Sequence, residues 1–204
     1  EIRPLPVKLA YSHFSGIMLN VPRLLREGVL SGRAQQYVDE VILVSTVDTT
    51  GTITGTITTG AAATARHPTW SPDGRTIAFT TDRGPGTNFD LLTIGNYRLA
   101  TLDLATSRVE ILPGMDVGKN VNPQWAPDGK SLAFVSDRNG VSNIFLFETA
   151  DSLVYQLTDF YTGAQGITPL SPVISWASGA DKIAFVYYED GDYDVYTLND
   201  PRSL

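Results

Sequence analysis

At residues 125–138 the chain reads Trp-Ala-Pro-Asp-Gly-Lys-Ser-Leu-Ala-Phe-Val-Ser-Asp-Arg, and at residues 70–83 it reads Trp-Ser-Pro-Asp-Gly-Arg-Thr-Ile-Ala-Phe-Thr-Thr-Asp-Arg. A third copy with an altered turn spans residues 172–188. Pro-Asp-Gly predicts a tight turn, because proline presets φ, aspartate caps the turn backbone and glycine accepts a positive φ. Each copy therefore predicts a strand that ends at the tryptophan and a second strand after the turn.

The spacing of these copies predicts the architecture. The anchor tryptophans Trp70, Trp125 and Trp176 are separated by 125 − 70 = 55 and 176 − 125 = 51 residues. Short β-branched and aromatic runs lie between them, punctuated by Asp-Gly and Asn-Gly turn signals. Repeats of about 40–50 residues with four strands each are typical of propeller blades. We predict an all-β fold: a partial β-propeller of about three to four four-stranded antiparallel blades, with one short N-terminal helix.

The chain divides into an N-terminal segment of strands plus helix, residues 1–40, and the propeller blades, residues 41–204. Apolar residues at helical spacing predict the helix over residues 21–37. Residues 41–47 and 52–58 predict two strands of a partial extra blade, whose inner strands would come from residues 6–21.

The number of predicted blades is below the usual four to eight. The last unit also lacks a predicted outer strand before Leu204. Three arrangements are consistent with this count: a fragment of a longer protein, a four-unit ring with a strand borrowed across the termini, or completion against another subunit. We favour the first or the third.

The strand after each turn carries a small alanine between two larger apolar residues, as in Leu132-Ala133-Phe134. Successive side chains of a strand point to opposite faces of its sheet. We therefore expect blade-to-blade packing to place a small residue on one face of each blade and bulky residues on the other.

The composition excludes several classes of site. The 204 residues contain no cysteine, so disulfides, thiolate metal sites and cysteine nucleophiles are excluded. Only two histidines, His13 and His67, are present, which excludes a His-rich zinc site. The net charge of −7 argues against a nucleic-acid partner. No apolar run approaches the ~20 residues that a membrane-spanning helix needs.

The individual polar candidates favour structural roles. The repeat places Asn122 where the first copy has His67, so an ordinary polar residue is accepted there and we interpret His67 as structural. No role is assigned to His13. Asp73 and Asp128 are interpreted as turn residues, and Asp82-Arg83 and Asp137-Arg138 as strand-end ion pairs or turn caps.

Two loops could bind a ligand, and one group of tyrosines could form an interface. The acidic stretch at 189–194 could ligate Ca²⁺, but Asp190-Gly191 favours a hairpin turn there. The glycine-rich loop at 83–87 lacks the lysine and helix of a phosphate loop. The sequence therefore assigns no catalytic, cofactor-binding or metal-binding residue. Tyrosines near the C-terminus predict either an interface or blade packing: Tyr155, Tyr161, Tyr187, Tyr188, Tyr193 and Tyr196.

The repeated motif resembles the WD40-like repeat of TolB-type β-propellers, and the resemblance covers about residues 41–199. The segments at 82–89, 120–125, 162–172 and 188–196 resemble more closely the propeller segment of large bacterial envelope proteins. In those proteins the propeller lies between a metallopeptidase-like domain and an outer-membrane barrel. The present chain contains no His-Glu-x-x-His motif.

The resemblance implies a non-catalytic module that mediates protein–protein interaction as a structural or accessory subunit of a bacterial envelope assembly. We expect no enzymatic activity, no cofactor and no nucleic acid. We expect a periplasmic or outer-membrane-associated location, peripheral to a membrane complex, with protein partners that complete the propeller or dock on its open edge. The alternative is the gating propeller of a prolyl-oligopeptidase-type serine peptidase, whose Gly-x-Ser-x-Gly motif is absent here. A metal-dependent propeller lyase is disfavoured by the presence of only two histidines.

Overall fold

The structure, a computed structural model, describes residues 9–12, 43–47, 52–58, 63–88, 91, 93–166 and 171–203. Within these residues, the strands form four antiparallel sheets, and a short 3-10 helix, Pro201–Ser203, follows the last strand. The predicted all-β class is confirmed. The predicted helix at 21–37 and His13 lie outside the described residues.

The first sheet has the strand order β1-β2-β3, with β1 at Leu9–Ser12, β2 at Leu43–Val47 and β3 at Ile53–Thr58. These strands fall within the three segments predicted for a partial blade. We call this unit the N-terminal sheet.

Two complete four-stranded blades follow, each with its strands in sequence order. Blade 1 contains β4 (Ala65–Trp70), β5 (Thr76–Thr81), β6 (Arg98–Asp103) and β7 (Val109–Ile111). Blade 2 contains β8 (Asn120–Trp125), β9 (Ser131–Ser136), β10 (Asn143–Glu148) and β11 (Val154–Gln156).

Blade 3 is a three-stranded sheet in the described residues. It contains β12 (Ile174–Trp176), β13 (Lys182–Glu189) and β14 (Asp192–Asn199). Strand β14 pairs with β13 along one edge only. In the described residues no further strand pairs with the other edge of β14.

The Pro-Asp-Gly turns have the predicted geometry. Gly74 and Gly129 adopt φ values of 69° and 70°, and their N–H groups donate to the carbonyls of Ser71 and Ala126 at 2.9 and 3.0 Å. The anchor tryptophans also occupy equivalent places, since each ends an inner strand and lies opposite an aliphatic residue of the next strand: Trp70 with Ile77, Trp125 with Leu132 and Trp176 with Ile183.

The two-faced packing of the blades is confirmed. The Leu132 and Phe134 face of blade 2 packs against Ala78 and Leu99 of blade 1. On the opposite face of blade 2, Ala133, Val135, Ile144 and Leu146 are covered by three bulky residues of blade 3, namely Trp176, Ile183 and Phe185. Blades 1, 2 and 3 are therefore stacked in one direction, with the bulky face of blade 2 on the alanine face of blade 1 and the bulky face of blade 3 on the alanine face of blade 2.

Candidate functional site

The inner strands of blades 1 and 2 contain a bulge at the same repeat position. The pairing register shifts between Arg66 and Thr69 in β4 and between Val121 and Gln124 in β8. The bulged residues, His67 and Asn122, have positive φ values of 50° and 57°. Asparagine and histidine are among the non-glycine residues that adopt this conformation most readily. A bulge re-aims a side chain out of the regular strand pattern.

These bulges lie beside a cavity of about 420 Å³ that collects residues from all three blades. Its lining combines apolar, hydroxyl and charged side chains. The lining includes Arg66, His67, Thr80, Tyr97, Lys119, Val121, Asn122, Val135, Asp137, Ala164 and Val173.

Within the described part of the chain, the side chain nearest to the His67 ring nitrogen in this cavity is a hydroxyl group. Nδ1 of His67 is 3.4 Å from Oγ1 of Thr80. Burial lowers the pKa of the His67 imidazole, and the positive charges of Arg66 and Lys119 lower it further. The Thr80 hydroxyl is fully buried and accepts the Asn122 N–H at 3.2 Å, so it is not presented to a substrate. These contacts support the structural interpretation of His67.

Asn122 joins three blades through its hydrogen bonds. Its backbone N–H donates a hydrogen bond to Oγ1 of Thr80 in blade 1. Its Oδ1 accepts a hydrogen bond of 2.6 Å from the N–H of Val173, which lies next to the inner strand of blade 3. The side chain is 2% exposed. A buried polar group is stabilising only when its hydrogen bonds are made, and here they fix the relative positions of the inner strands around the cavity.

The two Asp-Arg pairs are explained by contacts with the backbone. Asp82 Oδ1 accepts the N–H of Thr64, and Asp137 Oδ1 accepts the N–H of Lys119 at 2.7 Å. Both donors immediately precede an inner strand, so each carboxylate caps the start of the strand in its own blade. These contacts agree with the interpretation of Asp82 and Asp137 as caps rather than as members of ion pairs.

Arg138 and Asn120 form a polar network whose role the sequence did not indicate. The Arg138 guanidinium lies 5.3 and 5.0 Å from the ring centroids of Phe134 and Phe145. It donates to Asn120 Oδ1 at 2.8 Å, and Asn120 Nδ2 donates to the Met115 carbonyl at 3.0 Å. Only the recurrence of Asp-Arg at both strand ends could have drawn attention to Arg138.

The turn aspartates have the predicted structural roles. Asp73 Oδ1 accepts the Ser71 hydroxyl at 2.6 Å and the Arg75 N–H at 3.0 Å, which lower the pKa of the Asp73 carboxyl. Asp128 accepts the Lys130 N–H at 3.0 Å and forms an ion pair with Arg202. Arg202 also pairs with Asp181 at 2.9 Å, so it links a turn of blade 2 to a turn of blade 3.

The acidic stretch at 189–194 contains the predicted hairpin turn. Asp190 and Gly191 both have positive φ, 51° and 98°, as the tightest β-hairpins require. Glu189 Oε2 accepts the Tyr196 hydroxyl at 3.0 Å, and this contact raises the pKa of Tyr196. Among the residues that the structure describes, no group of three or more His, Asp or Glu side chains could hold a metal ion.

Blade 3 has one face that nothing in the described chain covers. This face, which we call the open face, carries Ala184, Val186 and Tyr188 of β13 opposite Thr197, Val195 and Tyr193 of β14. Val195 is 71% exposed, whereas Ile144, its equivalent in blade 2, is fully buried. Two of the six tyrosines, Tyr187 and Tyr196, pack with Phe160 and Phe185, as expected for blade packing. The other four are exposed, and an interface role for them stays a prediction: Tyr155, Tyr161, Tyr188 and Tyr193.

Comparisons with known proteins agree with this geometry. The chain aligns with TolB from Acinetobacter baumannii with a TM-score of 0.60 and 24% identity, over 77% of this chain and 35% of that one. The fold is that of the TolB-type β-propeller. A puromycin hydrolase aligns with the TolB-type blades with a TM-score of 0.56 and 22% identity, over 78% of this chain and 25% of that one.

One curated protein shares sequence with the TolB-type blades. Dipeptidyl-peptidase 5 of Porphyromonas gingivalis is 30% identical over 137 residues, which are 63% of this chain and 18% of that protein. The chain therefore matches less than a fifth of the length of this relative. No family model matches the chain. Across the described residues, no helix is both long and apolar enough to span a bilayer.

Proposed function

We propose that this chain is a non-catalytic β-propeller module that binds a protein surface through the open face of blade 3. We place it in a bacterial envelope assembly, as a structural or accessory subunit in the periplasm or at the outer membrane. The envelope location follows from the resemblance to the propeller segment of large envelope proteins. The proposal depends mainly on one observation, the exposure of Val195 at a position that is buried in blade 2.

The packing of the other blades indicates what kind of surface covers the open face. The same face of blade 2 is covered by a β-sheet that presents Trp176, Ile183 and Phe185. The occupant of the open face is therefore a β-sheet of the same blade type, with large apolar side chains at alternate positions. Tyr188 and Tyr193, whose rings lie 5.0 Å apart, border this surface with amphipathic side chains of the kind enriched at interfaces.

Site-specific photo-crosslinking in the intact bacterial envelope tests this proposal. A photoreactive residue replaces Val195, and a matched probe replaces Leu91, which is 72% exposed and lies outside the open face. We expect a discrete adduct from position 195 alone, mapped by mass spectrometry to a strand with alternating large apolar residues. An adduct within the same polypeptide would identify a further blade, and one with another chain an accessory partner. Identical adducts at both positions, or none at position 195, would contradict the proposal.

The identity with dipeptidyl-peptidase 5 favours a second candidate, the propeller domain of a longer serine peptidase. No Gly-x-Ser-x-Gly nucleophile motif occurs in these 204 residues, so the reactive serine would lie elsewhere in the polypeptide. The test is to label the whole gene product with a serine-reactive fluorophosphonate and to assay cleavage of dipeptidyl chromogenic substrates. A labelled serine outside residues 1–204, together with cleavage, would establish this candidate; an inert gene product would eliminate it.

A further inference from the structure

The turn between β9 and β10 contains Asn139-Gly140, the single Asn-Gly pair of the 204 residues. In such a pair the backbone nitrogen of the glycine can attack the side-chain amide carbon of the asparagine, because glycine has no side chain to hinder the approach. Both residues are exposed, and a Cβ built at Gly140 would meet no atom within 4 Å. The reacting groups of this turn are therefore open to solvent in the folded protein.

The other asparagines that the structure describes lack this combination of exposure and a following glycine. Asn120, Asn122 and Asn143 are at most 2% exposed, so their amides are shielded by the blades. The remaining asparagines are exposed but precede residues with bulkier side chains: Asn88 before Phe89, Asn96 before Tyr97 and Asn199 before Asp200. The fold and the sequence together therefore single out Asn139 among the described residues.

Two hydrogen bonds hold the reacting groups of the turn. The Gly140 N–H donates to the Asp137 carbonyl at 2.8 Å, and Asn139 Nδ2 donates to Gln156 Oε1 at 2.6 Å. Gln156 belongs to β11, the outer strand of the same blade. Attack requires the Gly140 nitrogen to leave its carbonyl partner and the Asn139 amide to turn toward that nitrogen. Each hydrogen bond opposes one of these two movements.

We propose that Asn139 is a deamidation site at which the hydrogen bond to Gln156 slows the conversion. The Gly140 nitrogen forms a bond to Cγ of Asn139, the bond between Cγ and Nδ2 breaks, and the Gly140 amide proton leaves with Nδ2 as ammonia. Water then opens the resulting succinimide ring. Cleavage between the Gly140 nitrogen and Cγ gives aspartate, and cleavage between that nitrogen and the main-chain carbonyl carbon gives isoaspartate. The site does not involve the open face of blade 3, so it does not depend on the proposed function.

Each product changes the contact between the turn and β11. A carboxylate has no N–H for Gln156 Oε1 to accept, and it adds a negative charge to a chain whose net charge is −7. Isoaspartate also lengthens the main chain of the turn by one carbon. Asp137 and Arg138, at the start of this turn, hold the Lys119 N–H and the Asn120 side chain at the beginning of β8. Isoaspartate is therefore expected to disturb the inner strand as well as the surface contact.

Incubation of the whole protein in mildly alkaline buffer, followed by proteolysis and mass spectrometry, tests the site. We expect the peptide that contains Asn139 to gain about 1 Da, the difference between an amide NH₂ and a hydroxyl group. We expect isoaspartate in that peptide, detected by enzymatic methylation with an isoaspartyl methyltransferase. The peptides that contain Asn96 and Asn199 are internal controls, because these residues are exposed to solvent as well. No conversion of Asn139, or equal conversion of the three asparagines, would overturn the proposal.

A pair of glutamine variants tests the role of the hydrogen bond. Gln156→Ala removes the acceptor of the Asn139 amide, and Gln165→Ala is the matched control, because Gln165 is an exposed glutamine in the loop after β11. We expect Gln156→Ala to convert Asn139 about two- to tenfold faster, the rate equivalent of the net free energy of one hydrogen bond, and Gln165→Ala to leave the rate unchanged. An unchanged rate in Gln156→Ala, or an acceleration that Asn96 and Asn199 share, would contradict the role assigned to Gln156.

Discussion

The one-directional stacking of the blades predicts different outcomes for the same substitution at equivalent positions. Ala133 is fully buried on the alanine face of blade 2, against Trp176, Ile183 and Phe185, which are each less than 10% exposed. An isobutyl group at this position has no free volume to enter, so Ala133→Leu must displace blade 3 or force strained rotamers. Overpacking of this kind costs about 1–3 kcal/mol. At about 2–4 °C per kcal/mol for a chain of this size, Tm falls by about 2–12 °C.

Ala184→Leu is the matched control, because Ala184 occupies the same repeat position on the open face of blade 3. In the isolated chain we expect its effect to lie within about 0.5 kcal/mol, as for an ordinary surface substitution. Urea unfolding of the wild type and both variants, with the m-value checked for constancy, measures the difference. Equal destabilisation by the two variants would refute the reasoning, because it would mean that Ala184 is already covered.

Three further outcomes are expected. His67→Asn places the residue of the second copy at the first. Because the pKa of His67 is lower in the folded state than in the unfolded state, the stability that depends on neutral His67 is present above pH 6.5 and is lost as the pH falls through the folded-state pKa. In urea titrations the variant should therefore lose less stability than the wild type when the pH is lowered from 7.5. In the same assay, Gly118→Ala should destabilise the protein by about 1–3 kcal/mol more than Gly140→Ala. A Cβ added at Gly118 would lie 2.7 Å from a backbone nitrogen, whereas a Cβ added at Gly140 would meet no atom within 4 Å. Arg202→Ala should cost about 1 kcal/mol or less, and the loss should shrink at high salt, because its two ion pairs are partly exposed.

The strands and turns could be predicted because their determinants are local. Pro-Asp-Gly fixes the turn after β4 and β8, and a strand with one alanine between two larger residues defines which side chains share a face. The outer strands β7 and β11 have local determinants too, since each follows the third strand of its blade after a turn of five residues. These features depend on residues within a few positions of one another, and the repeat shows each of them twice.

The polar interior could not be predicted, because its contacts join distant parts of the chain. Asn122 receives a hydrogen bond from Val173, which is 51 positions away, and Arg138 reaches back to Asn120, 18 positions away. Nothing in the local sequence distinguishes these residues from surface asparagines and arginines. The cavity has the same property, since its lining becomes a site only when three blades are stacked.

Three of the differences between the two copies of the motif fall at residues that line the cavity. The copies share the turn residues, the alanine and the capping aspartates Asp82 and Asp137, whose positions the blade geometry imposes equally on each copy. At cavity positions the copies diverge: Arg66 corresponds to Val121, His67 to Asn122 and Thr80 to Val135. The repeat therefore fixes the turns, the alanine and the caps of each blade, whereas the side chains that line the cavity differ from one blade to the next.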